Sequence, residues 1–183
     1  MPVEVVDYDA TWPKKFEALK LGLWPAVRDV ALTIEHVGST AVPGLAAKPV
    51  IDIDIVVQDR TRLLIAITRL TDLDYIHRGN LGIEGREAFL SPSDTVAHHL
   101  YVCLFNSPGL NNHLTVRDYL RLHSDAASAY GSLKQHLAQA FPRDIDGYIA
   151  AKTDFILKIL QTAGFSPDAL KAIEQTNKRS SVK

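Results

Sequence analysis

The chain has 183 residues, with 20 lysines and arginines against 21 aspartates and glutamates for a formal charge of −1. That length buries roughly 70% of the unfolded surface and supports one complete core. The charges split evenly, 10 basic and 13 acidic over residues 1–91 against 10 and 8 beyond, which excludes a phosphate-backbone stripe and an extended nucleic-acid surface. A hydrophobic fraction of 46% with 22% charged residues excludes disordered, collagen-like and coiled-coil classes, and a lone cysteine, Cys103, excludes an intramolecular disulfide or a multi-cysteine zinc site. The start MPVEVVDYDATWPKKF has acidic residues and no apolar stretch, and no window reaches about 18 uninterrupted apolar residues. The expectation is a cytoplasmic protein with no signal peptide and no membrane span.

In chain order, Pro13 suits the first turn of a helix, and Phe16, Leu19, Leu23, Val27 and Val30 fall near helical spacing, predicting a helix over residues 12–30 despite Pro25. ALTIEHV (31–37) reads as a strand. GSTAVPGLAAKP, with two glycines and two prolines, cannot form a long helix and feeds a β-branched strand over residues 50–57. A helix over 59–71, a strand over 73–77, a glycine-rich turn at 79–85 and strands REAFL (86–90) and HHLYVCLF (98–105) complete an α+β order. From Leu110 the pattern is helical: 111–123, 124–141, a helix from Ile145 closed by Gly164, and a short one opening with Ser166 and Pro167. The expected organisation is a single domain over 1–175, a sheet core to about 108 and a helical layer beyond it, with a frayed tail at 176–183.

Asp52 and Asp54 carry the most chemistry. Side chains at i and i+2 of a strand share a face about 7 Å apart, so both carboxylates point one way while Ile51, Ile53 and Ile55 point to the core. With carboxylate oxygens about 5 Å apart and an effective dielectric near 20, their repulsion is roughly 3 kcal/mol, which a divalent cation relieves. Hard oxygen ligands suit Mg²⁺ or Mn²⁺, and such an ion usually also holds substrate phosphates. Two solvated aspartates on an edge strand are the plain alternative. Twelve residues separate Asp52 from Ser39, which with Gly38 follows a strand; glycine lets backbone approach a ligand closely, and the serine caps a short helix or donates to a phosphate oxygen.

The order hydrophobic-Gly-Ser, then Asp-hydrophobic-Asp-hydrophobic resembles the nucleotidyltransferase superfamily of the DNA polymerase β type. Within it, EHVGSTAVPGLAAKPVIDIDIVV resembles the GrpB family, as do VDYDATWPKKFEA, YIHRGNLGIEGREAF, HHLYVC, RDYLRLHSDAASAYGSLKQHLAQAFP and YIAAKTDFI, covering about residues 3–160. The resemblance implies an α+β fold with a mixed, largely antiparallel sheet flanked by helices. It implies Asp52 and Asp54 as ligands of Mg²⁺ or Mn²⁺ bridging a nucleoside triphosphate, with Gly38 and Ser39 beside the phosphates. The superfamily's third carboxylate is not found on HHLYVCLF, and where family members show His-Leu-His this chain has His99, Leu100 and Tyr101. A metal set of Asp52, Asp54 and His99 is therefore a further candidate, and tightly bound Mn or Zn with hydrolase chemistry would follow from it.

Lys48 and Arg86 are the candidate cations for neutralising phosphate charge during catalysis, set against a solvated loop lysine and an edge-strand ion pair of Arg86 with Glu87. His36 reads as a structural histidine and Cys103 as a small buried hydrophobe. Tyr148 and Lys152 share a helix face, the lysine stem packing over the ring; with Arg117, Lys152 would bring positive charge to the aspartates if the helices cover the sheet. The expected function is metal-dependent binding of a nucleoside triphosphate or similar phosphorylated small molecule, with nucleotidyl transfer to a small or protein acceptor. The alternative is a catalytically silent ligand-binding or accessory domain of the same fold.

Overall fold

The computed structural model describes residues 2–179. A five-stranded mixed sheet is built from β1 (Ala31–Val37), β2 (Ile51–Val57), β3 (Ile76–His77), β4 (Arg86–Leu90) and β5 (His98–Leu104) in the order β1-β2-β5-β4-β3. Only the central β2 and β5 run parallel; the other three pairings are antiparallel. A parallel pair needs a long crossover, and here that connection carries α2 (Arg60–Thr71), β3 and β4.

One face of the sheet is covered by α1 (Trp12–Val27) and α2. Trp12, Phe16, Leu23 and Val27 recur at helical spacing and pack with Ile51, Ile53, Ile55 and Val57 in the main core. Helix α1 ends at Val27, not at 30; the Arg28 N–H closes on Trp24 O, and Val30 turns back onto Val27 O. Strand β3 is shorter than predicted because residues 72–75 terminate α2 instead. The Tyr75 N–H bonds Leu70 O, and Asp74 adopts φ 63°.

The opposite face is covered by the helical layer: α3 (Pro108–Leu122), α4 (Ser124–Ala140), α5 (Ile145–Thr162) and α6 (Pro167–Arg179). Helix α3 begins three residues ahead of the predicted 111, with Ser107 preceding Pro108 at the first helical position. It lays Leu110 on Val56 and Cys103 of the sheet. A second core of Val42, Leu45, Leu120, Tyr130 and Ile159 binds the helices to the loop after β1. Helix α6 continues past 175 to Arg179, so residues 176–179 are helical where a frayed tail was expected; residues 180–183 of that tail lie outside the described residues. Among the described residues no helix is long and apolar enough to cross a membrane.

Candidate functional site

The register of β2 sets the site. Asp52 lies opposite Val37 of β1 and His99 of β5, and Asp54 opposite Glu35 and Tyr101. Both carboxylates occupy the face turned away from Ile51, Ile53 and Ile55, as the period of two requires. Their surroundings differ. The Asp52 side chain keeps 29% of its surface, whereas that of Asp54 keeps 0% because α3 closes over it.

His99 Nδ1 donates to Asp52 Oδ1 at 2.8 Å. Burial pushes the Asp52 carboxyl up, but the bond from His99 and the charges of His99, His113 and Lys152 outweigh it and hold the group below the usual carboxylate range. Gly38 supports it from the other side. Its φ is 70°, and a Cβ there would overlap Asp52 Oδ2 and sit 2.8 Å from Cγ, so only glycine brings this backbone against the carboxylate.

His113 Nδ1, from α3, donates to Asp54 Oδ2 at 2.8 Å. Burial opposes the imidazolium, yet the charge and hydrogen bond of Asp54 prevail and raise the His113 pKa. Asp54 Oδ1 is buried with no hydrogen-bond partner among the described residues. His113 is a residue that sequence reasoning missed: it stands 59 positions from Asp54, in a stretch with no motif. Its ring lies 5.7 Å from that of Tyr101, so α3 delivers an imidazole beside the position where the family pattern expects one on β5.

A cavity of about 450 Å³ opens over Asp52. It brings together Gly38, Ser39, Lys48, Asp52 and His99 of the predicted set. The helical layer adds His113 and Arg117 from α3, Lys134 from α4, and Tyr148 and Lys152 from α5. Lys152 Nζ sits 5.3 Å from the Tyr148 ring centroid, the predicted stacking, while also lining the cavity. Arg117 has its charge engaged: Nη1 donates to Glu35 Oε2 at 2.8 Å and to His36 O at 3.1 Å, and Nε to Asp118.

Arg86, expected as a phosphate clamp, does not line the cavity. Opposite Cys103 in the sheet, it is sealed beneath α3 at Gly109, its guanidinium 4.5 Å over the Tyr101 ring. Glu87 alternates to the other face and pairs with His77 at 2.7 Å, so β4 offers no third carboxylate to the aspartates. His36 faces α1, stacked on Phe16 at 4.6 Å and bonded to Thr40 Oγ1 at 3.0 Å. Burial carries its pKa down to about 4, the signature of a structural histidine. Cys103 is buried, and burial raises its thiol well above the ordinary range.

The candidate three-ligand set of Asp52, Asp54 and His99 is not formed. His99 is spent on Asp52 and Asp54 on His113, and among the described residues no group of three His, Cys, Asp or Glu is placed to hold a metal ion. A Mg²⁺-type site asks less of the protein, one or two carboxylates completed by substrate phosphates and water. Asp52, which lines the cavity, fits that smaller requirement, whereas Asp54 does not line the cavity and stays sealed beneath α3 with its Oδ1 orphaned behind Asp52.

Comparison with known proteins agrees with this architecture. The profile of the family described as GrpB protein matches residues 2–162. The UPF0157 protein YqkA of Bacillus subtilis is 34% identical over 158 residues, which are 84% of this chain but 45% of YqkA, so the chain spans about half the length of that relative. The crystal structure of the conserved protein GrpB from Enterococcus faecalis superposes with a TM-score of 0.78 at 34% identity, covering 92% of this chain and 98% of that one. The poly(U) polymerase Cid1, in its MgGTP-bound crystal structure, shares the fold with a TM-score of 0.57 at 15% identity, over 83% of this chain and 50% of Cid1. The chain therefore belongs to the GrpB family, and it shares its fold with the poly(U) polymerase Cid1.

Proposed function

We propose that the protein binds a nucleoside triphosphate or a similar phosphorylated small molecule in the cavity over Asp52, with a divalent cation, and transfers a nucleotidyl group to a small or protein acceptor. The observation that carries this reading is the pairing of acidic and basic side chains across one cavity: Asp52 on the sheet side, Lys48 beside it, and Lys152 on the helical side. Such a cavity suits a polyanion whose phosphates are neutralised partly by a metal and partly by ammonium groups.

Asp52 would hold Mg²⁺ or Mn²⁺ at the cavity wall, with the buried Asp54 adding negative charge behind it, and the ion would supply Lewis-acid polarisation of a phosphoryl oxygen. The chain's own residues do the rest. Gly38 fixes the Asp52 carboxylate, Ser39 and Lys48 face the phosphates, and His113 holds Asp54 through its other oxygen. Arg86 acts at a distance: buried on the Tyr101 ring, it adds positive charge behind the carboxylates without reaching the ligand. On this reading the domain works in the cytoplasm.

A second reading is a catalytically silent binder of the same ligand. It is favoured by Glu87 turning away and by Glu35, the carboxylate opposite Asp54, being paired with Arg117. Incubation with α-labelled nucleoside triphosphates, Mn²⁺ and cell extract separates the two. Label on an acceptor identifies the transferase, and tight binding without transfer identifies the binder. Absence of both overturns the ligand class.

A further inference from the structure

The helical wall of the cavity holds an amine with no hydrogen-bond acceptor among the described residues. Lys134 of α4 is 2% exposed and lines the cavity, and its Nζ has no hydrogen-bond partner among the described residues. The contact it does make is with the ring of Tyr130, one turn back on the same helix, 4.6 Å from Nζ. The charges acting on it are Lys152 of α5, which repels it, and Asp52 of β2, which attracts it. The remaining walls bring Tyr148 from α5, His113 and Arg117 from α3, His99 and Tyr101 from β5, and Lys48 from the segment before β2.

An ammonium taken out of water with no acceptor is costly, and a buried lysine relieves the cost by losing its proton. Burial, with Lys152 adding to it and Asp52 opposing, carries the Lys134 pKa down to about 7. A phosphate oxyanion arriving in the cavity supplies the missing acceptor. We propose that Lys134 is a proton-coupled phosphoryl subsite: above neutral pH the amine of the unliganded protein is uncharged, and it takes up a proton from solvent when a phosphoryl group of the ligand enters beside it. Binding and proton uptake are then one event, and affinity falls as pH rises through neutrality. Arginine or an exposed lysine, charged throughout that range, would bind without such coupling. The proposal rests on the phosphate reading of the cavity, and the test separates the two.

The full chain is labelled with ¹³C at lysine Cε and titrated by NMR with and without inorganic tripolyphosphate and Mg²⁺. The signal absent from Lys134→Met identifies the residue. The expected result is a midpoint near neutrality in the free protein that moves upward by at least about one pH unit when tripolyphosphate is bound, as an opposite charge within hydrogen-bond reach requires. A parallel readout is affinity: the wild type should lose affinity above neutral pH by up to about tenfold per pH unit relative to Lys134→Arg, whose charge does not titrate and which corrects for titration of the probe itself. A Lys134 midpoint in the ordinary lysine range, or one unmoved while the Lys48 and Lys152 signals respond, overturns the proton-coupled subsite and leaves the phosphate cavity standing. Matching pH profiles for wild type and Lys134→Arg overturn it as well. No response of any lysine to tripolyphosphate removes the phosphate reading and the subsite together.

Discussion

The Gly38 backbone lies so close to the Asp52 carboxylate that a single methyl group has no room between them. The turn after β1 and the strand carrying the aspartates are thereby locked together, and Asp52 is held in one position over the cavity. Gly38→Ala should cost about 2 kcal/mol through backbone strain at positive φ and displacement of the carboxylate. Urea unfolding measures the first effect. The second should appear as a larger loss of phosphate-ligand affinity than the stability change alone explains, and unchanged affinity would show that Asp52 placement is not critical.

The two Asp–His pairs should behave differently when broken. His113→Ala leaves the sealed Asp54 carboxylate without its donor and should destabilise by about 3 kcal/mol, whereas His99→Ala, at the half-exposed Asp52 pair, should cost under about 1 kcal/mol. A double-mutant cycle of Asp54→Asn with His113→Ala should show strong coupling by chemical denaturation. Equal costs for the two histidines would contradict the burial difference.

How much of this was legible in the sequence follows from the range of each contact. The alternation of Asp52 and Asp54 with three isoleucines fixed which face each residue takes, because a strand's period is a local property. Gly38 and Ser39 were readable as a turn for the same reason. Lys152 was readable as a cation for the aspartates only on the condition that the helices cover the sheet, and His113 and Lys134 reach the cavity through that same packing, a long-range outcome that helical periodicity does not encode. Arg86 misled because a charged residue opening a strand reads as exposed. Its register opposite Cys103 instead puts it under α3, where the Tyr101 ring takes its guanidinium.

Acid stability should carry the mark of His36. Its pKa is lowered from 6.5 to about 4, so between those values the unfolded chain binds more protons than the native one. Stability is then fully present above the upper value and falls with pH through the window, by on the order of 3 kcal/mol for a shift of this size. His113 acts in the opposite sense. With its pKa raised in the fold, its contribution is present below the ordinary histidine value and is lost as pH rises through the raised one. Thermal unfolding of His36→Phe, which keeps the stack on Phe16, should show a flatter acid limb than the wild type; an unchanged limb would place the acid sensitivity elsewhere.

Lys134→Met should stabilise the protein. The native amine has a pKa of about 7 against 10.5 for an ordinary lysine, so across that interval the unfolded chain holds the extra proton and wild-type stability declines as pH falls. A methionine of similar length removes that loss. The variant's advantage should grow from alkaline pH down to neutrality, reach a few kcal/mol, and then level off. Differential scanning calorimetry across that range checks it, and a pH-independent difference would mean that Lys134 keeps its charge throughout.

The central claim is that Asp52 and Asp54, with the lysines of the helical wall, form a cation-assisted phosphate site. Isothermal titration of the full chain with each of the four nucleoside triphosphates in the presence of Mg²⁺ tests it most directly, with the double variant Asp52→Asn and Asp54→Asn as control. The account predicts saturable, Mg²⁺-dependent binding of at least one triphosphate, reduced by about tenfold or more in the double variant, since each lost charged contact to a phosphate-bound cation is worth at least about 1.4 kcal/mol. No binding of any triphosphate, or binding that the double variant leaves intact, would contradict it.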